Sequence, residues 1–102
     1  IQFPDGGIQG SVVNATPRVP VTFNTGQVLI GLSIAARSFP QYEAPMHRAA
    51  VWLRDSLDSD GCWRQFPTPF AARGEKAYET HVAWGLYEAA RTSGDTSYAA
   101  AA

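Results

Sequence analysis

The sequence predicts an all-α fold built from antiparallel helical hairpins. Two observations carry that expectation. Three segments place their apolar residues at helical rather than alternating spacing. Two of these segments also repeat each other. "VLIGLSIAAR" (Val28–Arg37) aligns with "VAWGLYEAAR" (Val82–Arg91), with six identities in ten positions at a constant offset of 54 residues, as from Gly31 to Gly85. The unit is a buried helix, an amphipathic helix and a connector. The first and third helices should therefore run parallel, with the second antiparallel between them.

Residues 1–23 carry Pro4, Gly6, Gly7, Gly10, Pro17 and Pro20, which forbids a long helix and predicts an irregular lead-in. "GGIQG" lacks the strand-before, helix-after context of a phosphate loop and reads as a flexible turn. A short extended piece is possible around Pro20–Phe23. The first helix is expected over 25–38, capped by Asn24 or Thr25. Val28, Leu32, Ala35 and Phe39 form one row, and Ile30 and Ile34 make the other side apolar, so this helix should be buried on most sides.

The second helix is expected over 43–57, with Met46, Ala49, Ala50, Leu53 and Leu57 as its buried stripe. Pro45 fits only in the first turn, where its missing N–H has no partner to lose. "DSDG" (Asp58–Gly61) ends this helix, and a linker runs from Gln65 to Gly74. The third helix is expected over 78–92, stopped by Gly94, with Asp95 or Thr96 capping a short fourth. Gly31 and Gly85 sit mid-helix, where glycine costs ~1 kcal/mol relative to alanine. Close helix–helix approach would justify them. The chain starts without methionine and stops within "SYAAAA", so it reads as a piece of a longer protein. Residues 24–102 then make a partial domain of about two hairpins.

Composition narrows the functional classes. A net charge of −1 gives no electrostatic footprint for nucleic acid or an acidic membrane. No apolar run approaches the ~20 residues that span a bilayer. The single Cys62 excludes an internal disulfide and suits a reducing, cytoplasmic setting. No cofactor motif is present. Asp60, Cys62 and His81 are metal-ligating types, but their spacing does not form a zinc set.

"RAAVWLRDSLDSDGCW" (Arg48–Trp63) resembles the repeat of the α/α toroid proteins, a group that includes terpenoid cyclases and protein prenyltransferases. The matching residues are Arg48, Ala49, Trp52, Leu53, Gly61 and Trp63. Ser56, Leu57 and Asp58 stand where that repeat usually carries glutamine. "FNTGQVLIGL" and "HVAWGLYEAAR" resemble inner-ring helices of bacterial toroid proteins associated with polysaccharide metabolism. The resemblance implies a segment of an (α/α) barrel, completed by the remaining repeats of the parent chain. It also implies that Trp63 folds back onto a helix end, its indole N–H meeting a free carbonyl. A sugar-stacking platform is the sharper alternative for Trp63. Phe66 and Phe70 would extend the cover.

In such a ring the inner helices surround a cavity, and their N-termini share one rim. That rim would hold Asn24, Thr25 and Gln27 on one helix, and Tyr78, Glu79, Thr80, His81 and Trp84 on the other. Amides and imidazole suit hydroxyl groups, and indole suits a sugar face. His81 and Glu79 are the candidate catalytic residues, and Asn24, Gln27, Tyr78 and Trp84 the candidate saccharide contacts. The simpler alternatives are that Asn24, Thr25 and His81 only cap and that Trp84 is core. Asp5, Glu75 and Glu79 are candidate carboxylates for glycoside hydrolysis, but no spacing singles out a pair. The six arginines outside the lead-in look scattered, and solvated or paired.

Three functions remain open. One is a toroid enzyme or enzyme-like domain acting on a saccharide. The second is a non-catalytic helical-repeat module binding glycan or protein. The third is an isoprenoid-type toroid enzyme. Whether the chain catalyses anything is not decided by its sequence.

Overall fold

The computed structural model describes residues 1–10, 14, 17–67 and 80–102. Among them are four α-helices and no strands, so the described chain is all-α. The helices are α1 (Thr22–Ala36), α2 (Glu43–Asp55), α3 (Thr80–Ser93) and α4 (Thr96–Ala101), with a 3-10 turn at Pro40–Tyr42 leading into α2. No helix among the described residues is long and apolar enough to cross a membrane.

Helix α1 starts three residues before the expected place. Its N-cap is Val21, in extended conformation and without a side-chain cap. Asn24 and Thr25 therefore lie inside the helix, which corrects the capping role expected of them. The cap comes from elsewhere in the chain. The Thr22 N–H donates to the Phe66 carbonyl (3.0 Å), and the Thr22 hydroxyl donates to the Gln65 carbonyl (3.1 Å). Phe66 reaches this pose with φ of 56°, a left-handed conformation uncommon for any residue but glycine. Its ring lies 4.9 Å from that of Trp52. The connector after α2 thus satisfies a free donor at the start of α1.

Helix α2 returns alongside α1, because its Trp52 end meets the connector that caps the start of α1. Met46, Ala49, Ala50 and Leu53 are buried as their spacing predicts, and Trp52 joins them. The helix ends at Asp55, before Leu57. The Ser56 hydroxyl then donates to the Trp52 carbonyl (2.6 Å), and the Trp63 indole N–H donates to the Leu53 carbonyl (2.8 Å). Trp63 is itself buried, so it closes the end of α2 as expected.

Helices α1 and α3 run parallel. Gly26 abuts Val82, Gly85 abuts Leu29, and the Thr92 hydroxyl donates to the Ser33 carbonyl (2.9 Å). Partners thus advance together along both helices, as the 54-residue offset predicts. Leu29, Ala49, Leu53, Val82 and Leu86 form the centre of the core. Gly94, at φ of 78°, ends α3, and its N–H donates to the Ala90 carbonyl (2.7 Å). Asp95 then caps α4 by accepting from the Ser97 N–H (2.9 Å). Tyr98 ties α4 down. It is buried, its hydroxyl meets His47 Nδ1 at 2.8 Å, and the Arg54 guanidinium lies 5.9 Å from its ring.

Two further expectations are corrected. The lead-in is not a loose turn where it meets α2. A Cβ on Gly6 would lie 2.0 Å from the Arg48 carbonyl oxygen, so the backbone touches the helix there. The Ile8 N–H donates to the Thr25 hydroxyl (2.9 Å), and Ile8 is buried. Nor is α1 buried on most sides. Val28 is 40% exposed and Ile34 51% exposed, because this chain supplies neighbours for only part of its circumference.

Candidate functional site

One side of the α1–α3 pair is open and carries most of the unusual chemistry. Positions three and four apart on a helix share a face. On α1 this gives the row Phe23, Gln27, Ile30, Ile34 and Arg37. On α3 it gives His81, Trp84, Glu88 and Arg91. Contacts pin the two rows together at both ends. The Phe23 and His81 rings pack edge to face, 6.1 Å between centroids. Arg37 forms an ion pair with Glu88 at the other end. The four α3 positions are the repeat equivalents of Gln27, Ile30, Ile34 and Arg37, so both helices turn the same face to the same side.

Glu88 organises the far end. Its Oε1 accepts from the Trp84 indole N–H (3.3 Å) and from Arg91 Nη1 (3.2 Å), and its Oε2 accepts from Arg37 Nη2. Arg37 Nε also donates to the Thr92 hydroxyl (3.0 Å). Burial pushes the Glu88 carboxyl upward. Hydrogen bonds from Arg37 and Trp84, with the charges of Arg91 and Arg37, outweigh it and hold the group below the ordinary carboxylate range. Glu88 is thus an ionised acceptor that orients Trp84, not a proton donor.

This has a pH consequence. A depressed carboxyl stabilises the fold fully above its unfolded value of ~4.3, and that contribution is lost as pH falls through the lower folded value. Glu88→Gln is therefore expected to lower stability at pH 7 and to flatten the acid limb of the stability profile. Urea titrations across pH 2.5–7 of both proteins check this. An acid limb of unchanged slope would remove Glu88 from that role.

Trp84 is 51% exposed, which corrects its assignment to the core. Its indole N–H is held while its ring stays open to solvent. Tyr87, 52% exposed, lies one position around the helix. His81 is half-buried and Gln27 is exposed, and both lie on the open face. Asn24 is half-buried and precedes Gln27 by three positions, so it lies at the edge of the same row. Tyr78 and Glu79 lie outside the described residues, as do Glu75 and Phe70. Asp5 accepts the Gly7 N–H (3.0 Å) within the lead-in, and Asp60 pairs with Arg64 (2.8 Å) beside Trp63. Arg64 and the Cys62 N–H hold the Asp60 carboxyl below its usual range. No three His, Cys, Asp or Glu gather to hold a metal ion among the described residues.

Sequence reasoning missed Glu88, Arg37 and Arg91 as members of one cluster. The signal was available in the row 81, 84, 88, 91 and in the repeat equivalence of Arg37 and Arg91. The ion pair itself needs the parallel register of α1 and α3, which only the three-dimensional structure supplies. No family model, curated protein or solved structure matches this chain.

Proposed function

We propose that this chain is part of an α/α toroid and that the open α1–α3 face binds a saccharide. The observation that carries the reading is Trp84: a half-exposed indole whose N–H is fixed by Glu88. An indole so held offers an apolar platform for the C–H face of a sugar ring. Gln27 and His81 on one side, and the outer donors of Arg37 and Arg91 on the other, suit hydroxyl or carboxylate oxygens. The toroid part rests on two repeat-related helices that run parallel and turn equivalent rows to one side, with α2 returning beside them. Ionic and amide groups on that face disfavour an isoprenoid substrate, which calls for an apolar wall.

Within this reading His81 is the candidate acid or base on the described part of the face, and Glu88 cannot serve as the acid because it is held ionised. A second reading, binding without catalysis, is favoured by one observation. The only carboxylate on the described part of the face is already engaged by two arginines. The remaining repeats of the parent chain are the implied partner, and the lone Cys62 suits a cytoplasmic setting.

The test is calorimetric titration of the parent protein with neutral and uronic-acid oligosaccharides. Trp84→Ala is expected to weaken binding about tenfold, the effect of roughly 1.4 kcal/mol, with folding unchanged. Unaltered affinity in Trp84→Ala sinks the platform. His81→Gln is expected to lower any turnover ~10²–10⁴-fold while binding survives. Turnover at the original rate makes His81 a contact only.

A further inference from the structure

Helix α1 has a face that the other described residues leave open, and the chain itself contains the partner that such a face takes. Val28, Gly31, Leu32 and Ala35 on α1 are identical, one for one, to Val82, Gly85, Leu86 and Ala89 on α3. On α3 this set is docked. Val82, Leu86 and Ala89 are fully buried, and a Cβ on Gly85 would lie 2.8 Å from the Gly26 carbonyl oxygen. On α1 the same set is only partly covered, with Leu32 leaning on the core. Val28 is exposed, Leu32 and Ala35 are half-buried, and a Cβ on Gly31 would meet nothing within 4 Å. Glycine weakens a helix interior relative to alanine. At position 85 close approach of a second helix offsets that loss. At position 31 nothing among the described residues does.

We propose that this face of α1 seats the first helix of another repeat unit of the same kind, running parallel to α1. The inference rests on the toroid reading above, which it deepens through the internal repeat, and is independent of the saccharide reading. The occupant's chemistry follows from the docked pair. The surface that receives α3 is Gly26 at the crossing, Leu29 three residues on and Ser33 seven residues on. Gly26 is required there because a Cβ would lie 2.8 Å from Val82 Cα. The occupant of the α1 face therefore presents glycine, leucine and serine at that spacing. A second copy of this chain does not offer such a surface. Its own is covered by α3, and the equivalents of Gly26 and Ser33 on α3 are Thr80 and Tyr87, whose side chains hold a neighbour farther off.

The probe is a capped synthetic peptide of residues 18–39, which carries the receiving surface, titrated into the ¹⁵N-labelled chain. Expected are saturable shift changes centred on Val28, Gly31 and Ala35. Gly31→Leu in the chain, or Gly26→Leu in the peptide, should each weaken binding about tenfold or more, the scale of one overpacked contact. Gly31→Leu points into open space, so its thermal melt should match or exceed that of the parent chain. Absence of binding at millimolar peptide overturns the proposal, as does equal affinity in Gly31→Leu. Shift changes centred on Val82 and Gly85 also overturn it, since the peptide would then be displacing α1. So does self-association of the chain that Gly31→Leu abolishes, because the occupant would then be a second copy.

Discussion

Trp63→Ala is expected to lower the unfolding free energy by about 3–5 kcal/mol, the range for removing a buried aromatic side chain. Two losses combine. The ring is 7% exposed and packs into the core cluster beside Leu53, so alanine leaves a cavity. The Leu53 carbonyl also loses the indole N–H donor at 2.8 Å, which leaves a carbonyl in the last turn of α2 without that partner. Small domains have only about 5–15 kcal/mol in total, so the alanine variant sits near the edge of folding. Trp63→Phe separates the two losses. It keeps most of the packing and should cost about 1–3 kcal/mol through the unpaired carbonyl. Urea unfolding of both variants with a common slope gives the values. An alanine variant as stable as the parent would sink the staple role and return Trp63 to the surface-platform reading.

The second large effect is a pair of identical substitutions with opposite signs. Gly85→Ala places a Cβ 2.8 Å from the Gly26 carbonyl oxygen. That atom is backbone, so the two helices must part. The expected cost is about 1–3 kcal/mol, net of the better helix propensity of alanine. Gly31→Ala, one repeat earlier, enters open space. It should stabilise the chain by about 0.5–1 kcal/mol through helix propensity alone. Thermal melts of the two variants side by side decide the matter. If both shift the same way, the close α1–α3 crossing at Gly26 and Gly85 is not as described.

What could be read from the sequence depended on whether a feature was local or repeated. The α2 stripe and the stop at Gly94 rest on neighbours within a dozen residues, and both were legible, whereas the fold-back of Trp63 was an implication of the toroid resemblance. The parallel course of α1 and α3 is long-range, yet the 54-residue offset encoded it. The start of α1 was not legible, because its cap is a carbonyl from Phe66 and no capping side chain marks the place. The lead-in glycines look the same in sequence whether they loosen a turn or let the backbone touch Arg48. At the site, the offset made Gln27 the repeat equivalent of His81, but the ring that packs against His81 across the two helices is Phe23. The offset could not tell that Trp84 stays open, because exposure depends on how much of a ring surrounds the helix.

The double tie at Thr22 also bears on the order in which the chain folds. By joining its backbone and hydroxyl to Gln65 and Phe66, Thr22 brings together the two ends of a lobe that contains α1 and α2. That lobe can close on itself from contacts within one stretch of chain. The α1–α3 register pairs residues more widely separated along the chain, such as Ser33 with Thr92, and must draw in a longer loop. Non-local pairing of that kind is the slower event. The first two helices are therefore the pair expected to assemble first and α3 the one expected to release first, an order that amide-exchange protection of the three helices would check.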